Sequence, residues 1–199
     1  FDRSSGASLS AREMLKQLAK RGFHIKIVGA TVFDSENGRK QVDDMVKGSI
    51  SEKKFIHLKD EEIEHHLVCT KGHASKEMTF DELGRLYNLY EKTLLEFKPD
   101  LVWMYGGQFF DRMILEKAKN SGAKTAFYLV NANYKGHKWY EHVDKVITDT
   151  QATADMYNDR LGIAIDAVGT FIDPKSFLAK KHSRKNITFI NPKPYKGSL

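Results

Sequence analysis

Cysteine is almost absent from this chain: Cys69 stands alone among 199 residues. A single thiol excludes an intrachain disulfide framework, and with it the small disulfide-stapled scaffolds. It fits a reducing compartment, the cytosol. No apolar run approaches the about 20 residues needed to cross a bilayer, and no signal-peptide pattern opens the sequence. Internal repeats and low-complexity tracts are missing as well. So are two phosphate fingerprints, Gly-x-Gly-x-x-Gly and the phosphate loop ending Gly-Lys-Ser/Thr. His57, His65, His66 and His73 are the candidate metal ligands, but no Cys/His spacing matches a zinc site. The adjacent His65 and His66 would point to opposite faces of a strand, so no metal is expected. Cys69 has no visible partner base, which argues against a nucleophilic role.

Hydrophobic residues make up 41% of the chain and aromatics 11%, enough for one large domain or a domain and a half. Net charge is +6, with an isoelectric point near 9.2. A basic balance suits an anionic partner: phosphates, nucleic acid or a membrane surface. The charges are scattered, however. The densest cluster, Lys180-Lys181-His182-Ser183-Arg184-Lys185, falls in a segment that reads as a solvated linker. A nucleic-acid partner is therefore not expected.

Helix and strand signals alternate. Leu9, Met14, Leu15 and Leu18 recur at helical spacing. Ser10 and Glu13 form a capping-box pattern, and Gly22 a natural stop. Strands are expected over 24–28, 54–59, 64–70, 101–105, 125–130, 143–148 and 163–168. Helices are expected over 40–48, 79–97, 110–119 and 152–161. The 79–97 helix carries the clearest signals: a Thr79/Glu82 capping box, an apolar face from Leu83 to Phe97, and Pro99 beyond its end. Strands separated by helices imply βαβ units. The expected fold is α/β: a Rossmann-like, doubly wound, mostly parallel sheet with helices on both faces. Residues 1–170 form this domain and 171–186 a linker. The apolar stretch Ile187-Thr188-Phe189-Ile190 opens a further strand, so 187–199 reads as the first piece of a second domain.

In such sheets ligands gather at the carboxyl ends of strands, where loops enter helix amino ends. Ser4-Ser5-Gly6-Ala7-Ser8 has the small residues that let backbone approach a phosphate or sugar, with helix N–H groups behind it. The plainer reading, a helix-capping turn, stays open. A loop of this kind normally follows a strand, so a strand ahead of Ser4, or another segment in its place, is also expected.

Several segments in order resemble the amino-terminal half of glycosyltransferases with two facing Rossmann-like domains, the GT-B fold, in the retaining family four. These are Ser4 to Phe23, Lys98-Pro99-Asp100-Leu101-Val102, Val143 to Thr150, Val168-Gly169-Thr170-Phe171-Ile172-Asp173, and Ile187 to Gly197. The resemblance implies an enzyme moving a sugar from a nucleotide-diphosphate sugar, its substrate, to a carbohydrate, lipid or other hydroxyl acceptor. It implies no permanently bound cofactor. It also implies a carboxy-terminal donor domain beginning at 187, whose catalytic residues this sequence does not contain. The 199 residues alone should then be inactive. A cytoplasmic location follows, with contact at the inner face of the membrane left open.

The resemblance also assigns site residues. Ser5, Gly6 and Ala7 would face the donor diphosphate, together with Lys196 beside Gly197. Tyr105, Gly106 and Gly107 end one strand; a sharp strand-to-helix turn is the plainer reading there. Asn131, Asn133 and Tyr134 follow the next strand and would orient an acceptor sugar. Where the family often places a histidine, this chain has Val130-Asn131. Asparagine hydrogen-bonds hydroxyls but is no acid or base at neutral pH. His137 could substitute, or be an ordinary surface histidine. A non-catalytic Rossmann-like domain that binds sugar, phosphate or protein is the alternative.

Overall fold

The computed structural model describes residues 5–106, 109–130, 134, 139–178 and 181. Helix α1 (Gly6–Lys20) is followed by β1 (Lys26–Ala30), α2 (Glu36–Val46), β2 (Phe55–Asp60), β3 (Ile63–Val68), α3 (Phe80–Phe97) and β4 (Leu101–Met104). Next come α4 (Phe109–Asn120), β5 (Lys124–Leu129), β6 (Lys145–Thr148), α5 (Gln151–Leu161), β7 (Ile165–Ala167) and α6 (Pro174–Phe177).

The strands form two sheets. One is three-stranded, in the order β1-β3-β2; β1 runs parallel to β3, and β2 antiparallel to it. The other is four-stranded, in the order β4-β5-β6-β7, and wholly parallel. The protein is thus α/β, with a Rossmann-like parallel sheet flanked by helices and a second, mixed sheet beside it. β1 and β4 are each an outermost strand, and among the described residues no strand joins them. Each sheet carries its own core. Phe127, Leu129, Val146, Tyr157 and Trp139 pack together over the parallel sheet, and Phe33, Val42, Ile50, Ile56 and Leu67 over the mixed one.

Helix α1 spans both sheets. Ser10 Oγ lies 2.9 Å from the Tyr128 hydroxyl of β5. Arg12 donates to Asp60 of β2 at 2.7 Å, and Lys16 pairs with Glu61 at 2.5 Å. The helix begins earlier than its sequence suggests. Ser5, not Ser10, is the N-cap: its backbone is extended, and its Oγ accepts the Ser8 N–H. Ser10 thereby becomes a buried helical residue free to reach β5, and Glu13 accepts from Gln17 instead. The end is as expected. Gly22 takes the left-handed region at φ 90°, and the N–H groups of Gly22 and Phe23 close on the Ala19 and Leu18 carbonyls.

The Thr79/Glu82 box starts α3 as the sequence indicates. Thr79 Oγ1 accepts the Glu82 N–H, and Glu82 Oε2 accepts the Thr79 N–H. Glu82 Oε1 also accepts the Lys71 N–H at 2.8 Å, so one carboxylate ties the helix to the loop after β3. Burial pushes this carboxyl up, but the Thr79 and Lys71 N–H groups outweigh it and hold it below its usual range. Helix α3 also reaches α4, where the Tyr90 hydroxyl donates to the Ile114 carbonyl at 2.9 Å.

Strand alternation separates His65 from His66, as expected. His65 is buried on the face near Arg12 and Asp60, and His66 lies on the face beneath α3. Burial pushes the His65 imidazole down to about 4; nearby Asp60 opposes this and Arg12 adds to it. A depressed histidine favours the fold above its unfolded value, and that contribution is lost as pH falls through the folded one. Stability should therefore decline between about pH 6.5 and pH 4. A proton-NMR titration should give His65 a midpoint near 4; a midpoint near its usual value would show that it is not buried as described.

Candidate functional site

The parallel register of β4, β5 and β6 brings their carboxyl ends to one edge. Trp103 pairs with Ala126, so Trp103, Tyr105 and Tyr128 share one face of the sheet. Their rings form a row, with Trp103 centred 6.1 Å from Tyr105 and 5.6 Å from Tyr128. The opposite face carries Met104, Phe127 and Leu129 into the core.

The amino end of α1 is fixed against this row. Ser8 Oγ lies 3.0 Å from the Tyr105 hydroxyl, and Ser10 Oγ is bonded to Tyr128. The Tyr128 hydroxyl also bonds the carboxylate of Asp149, the residue after β6. Ser10, Tyr128 and Asp149 thus form a chain of hydrogen bonds from helix to strand end. Burial, with the Asp149 bond, pushes the Tyr128 phenol up to about 12, while Ser10 pulls the other way. Asp149 remains half-exposed, so this edge offers incoming hydroxyls a carboxylate held in place by a phenol.

The plainer reading of the opening loop, a helix-capping turn, is what the structure shows. Ser5 is buried and caps the helix. Gly6 and Ala7 then hold the first two helical positions, whose N–H groups lie outside the helical ladder. The first turn contains no acidic residue, so nothing within it offsets the partial positive charge of the helix end. Gly6 is exposed, and a Cβ there would meet nothing within 4 Å. The backbone is accessible.

Gly106 turns the chain after β4. Its φ is 152°, and a Cβ would lie 2.3 Å from Asp111 Oδ2. The plainer reading of this position, a turn that demands glycine, is therefore correct. Tyr134 is a packing residue more than a presented one. Its ring stacks among Phe127 and Trp139 at 5.6 and 5.7 Å. Its backbone N–H donates to the Tyr157 hydroxyl at 3.0 Å, and its carbonyl accepts from Arg160 at 2.7 Å. Burial pushes its phenol up to about 12, against hydrogen bonds from the Val130 and Gly106 backbone. Tyr134 thereby ties the loop after β5 to the turn after β4.

The structure brings together Ser5, Gly6, Ala7 and Tyr105 at one edge, with Gly106 and Tyr134 behind it. Gly107, Asn131, Asn133, His137 and Lys196 lie outside the described residues. Two contributors, Tyr128 and Asp149, were not singled out from sequence, and Ser8 was named only as part of the small-residue loop. Asp149 did carry a signal, being the first polar residue after a buried strand. Tyr128 carried none, because in sequence it is one more aromatic in an apolar run. Among the described residues, no group of three His, Cys, Asp or Glu side chains is placed to hold a metal ion. Burial pushes the Cys69 thiol up, against Lys53 and Arg85, which disfavours the thiolate.

No family model matches this chain, and no curated protein matches it. The chemistry of this edge must therefore be argued from its own residues.

Tyr128 and Tyr134 are held neutral by the fold, so their contribution is complete below the usual phenol value near 10. It is lost as pH rises through about 12. Ultraviolet titration should show late-ionising phenols together with a loss of stability over that window. Replacing Tyr128 with Phe should remove one of them. Ionisation of every tyrosine near 10 in the folded protein would contradict the burial described.

Proposed function

We propose that this chain is the acceptor-side half of a retaining glycosyltransferase of the GT-B type, moving a sugar from a nucleotide-diphosphate sugar to an acceptor hydroxyl. The observation that supports this best is the acid-free amino end of α1, fixed by Ser8 against Tyr105 at the carboxyl edge of a parallel sheet. Helix amino ends favour phosphate oxygens, and carboxyl edges are where α/β sheets place ligands. In the transfer, the anomeric carbon loses its bond to the diphosphate and gains one to the acceptor oxygen. The acceptor's proton passes to the departing nucleotide diphosphate.

In this reading the N–H groups of Gly6 and Ala7 face the diphosphate as negative charge develops on it. Ser8, Tyr105 and Asp149 hold the acceptor by its hydroxyls and set the line of attack. The donor nucleotide would be held by a second, facing Rossmann-like domain, as the resemblance of 187–197 implies. A cytoplasmic location, in reach of nucleotide sugars, belongs to the same reading. Among the described residues, no helix is long and apolar enough to cross a membrane.

The test is release of nucleotide diphosphate from a panel of nucleotide sugars, run on the complete gene product and on the 199-residue chain. Release by the complete product alone is expected. Asp149→Asn should lower its kcat/KM by about tenfold to a hundredfold, the scale of one hydrogen bond to a charged group. Release by neither, with every common donor and acceptor, would sink the transferase reading and favour a domain that binds sugar or phosphate without turnover. Turnover by the 199 residues alone would overturn the assignment of half an active site.

A further inference from the structure

A second feature lies on the other face of the mixed sheet, away from α1. Helix α3 packs over β1 and β3 but leaves the outer face of β2 uncovered. Between them runs a groove of about 420 Å³, within the range of small-molecule sites.

Its lining has one dominant sign. Lys26, Arg85 and Lys92 enter it, against the single carboxylate of Glu96. His57 and His66 stand opposite each other across β2 and β3, their rings 4.4 Å apart and edge to face. Phe55, Leu89 and Phe97 supply apolar wall, and Phe55 is 42% exposed there.

The cations are only loosely engaged. Lys26 lies 3.6 Å from Glu64 and Lys92 3.8 Å from Glu96, and both acids are mostly exposed. His66 shares Glu64 at 3.5 Å. Arg85 reaches the exposed Asp81 through one terminal nitrogen at 3.0 Å. Its Nε is buried and has no hydrogen-bond partner among the described residues. Exposed ion pairs of this sort contribute little and exchange readily. An oxyanion in the groove would meet the part-exposed terminal nitrogens of Arg85 in place of Asp81, and a planar body could lie along the phenylalanines and imidazoles.

We propose that this groove binds a small organic anion: an apolar, ring-bearing molecule carrying a phosphate or similar oxyanion. The anionic group meets Arg85, with Lys92 and Lys26 adding charge, and the ring lies between Phe55 and the His57–His66 pair. This site does not depend on the transferase reading, since it shares no residue with the α1 edge.

The probe is α-naphthyl phosphate, titrated into the 199-residue chain while the His57 and His66 ring resonances are followed. Saturable shifts with a Kd below about 1 mM are expected. Inorganic phosphate and α-naphthol, each supplying half of the recognition, should bind at least about tenfold more weakly. Arg85→Gln should weaken binding about tenfold. Lys92→Gln, at an exposed position safe for folding, should weaken it about twofold to fivefold. Lys47→Gln, at the residue that caps the carboxyl end of α2, should change nothing. Absence of saturable shifts would overturn the proposal. So would equal affinity for α-naphthol, or unchanged affinity in a folded Arg85→Gln variant.

Discussion

The seating of α1 across two separate sheets is the constraint on which the rest of the structure depends. Among the described residues no backbone ladder joins β1 to β4, and the contacts seen across the seam there are made by side chains. On one side α1 makes them, with Ser10 bonded to Tyr128 of the parallel sheet and Arg12 to Asp60 of the mixed one. Arg12 holds the Asp60 carboxyl below its usual range, and burial works against it. On the other side α3 closes the seam through Tyr90 and Ile114, and through Lys117 and Glu91. The strands at the break show what this leaves undone: Ile27 to Ala30 and Val102 to Met104 are only half-buried.

This seating also decides where chemistry can occur. Because Ser10 and Ser8 meet Tyr128 and Tyr105 along one face of the parallel sheet, the amino end of α1 stands over the carboxyl ends of β4 and β5. A helix cap, an aromatic row and the carboxylate of Asp149 are thereby combined into one edge. None of them alone would mark a site. Gly106 and Tyr134 contribute from behind, by fixing the turns that frame the edge.

Much of the fold was legible because its signals are local. Thr79 with Glu82, and Gly22 after α1, announce helix ends through hydrogen bonds that span three or four residues. The alternation of His65 and His66 follows from the strand period alone. Other features were hidden because they depend on partners far apart in sequence. Ser10 reads as a cap until Tyr128, 118 residues away, claims its hydroxyl. The division into two sheets has no signature in strand composition, since β1 and β4 look like any buried parallel strand. The site was half legible for the same reason: Gly6 and Tyr105 lie in recognisable loops, but the Tyr128–Asp149 bond joins two strands.

The most direct measurement of how α1 is seated is a double-mutant cycle between Ser10→Ala and Tyr128→Phe, read by equilibrium unfolding. Each single change should destabilise the protein. The pair should couple by about 0.5–1.5 kcal/mol, the net value of one hydrogen bond. Strict additivity would mean that Ser10 and Tyr128 do not meet, that α1 is not held over the parallel sheet, and that the edge described here is not assembled.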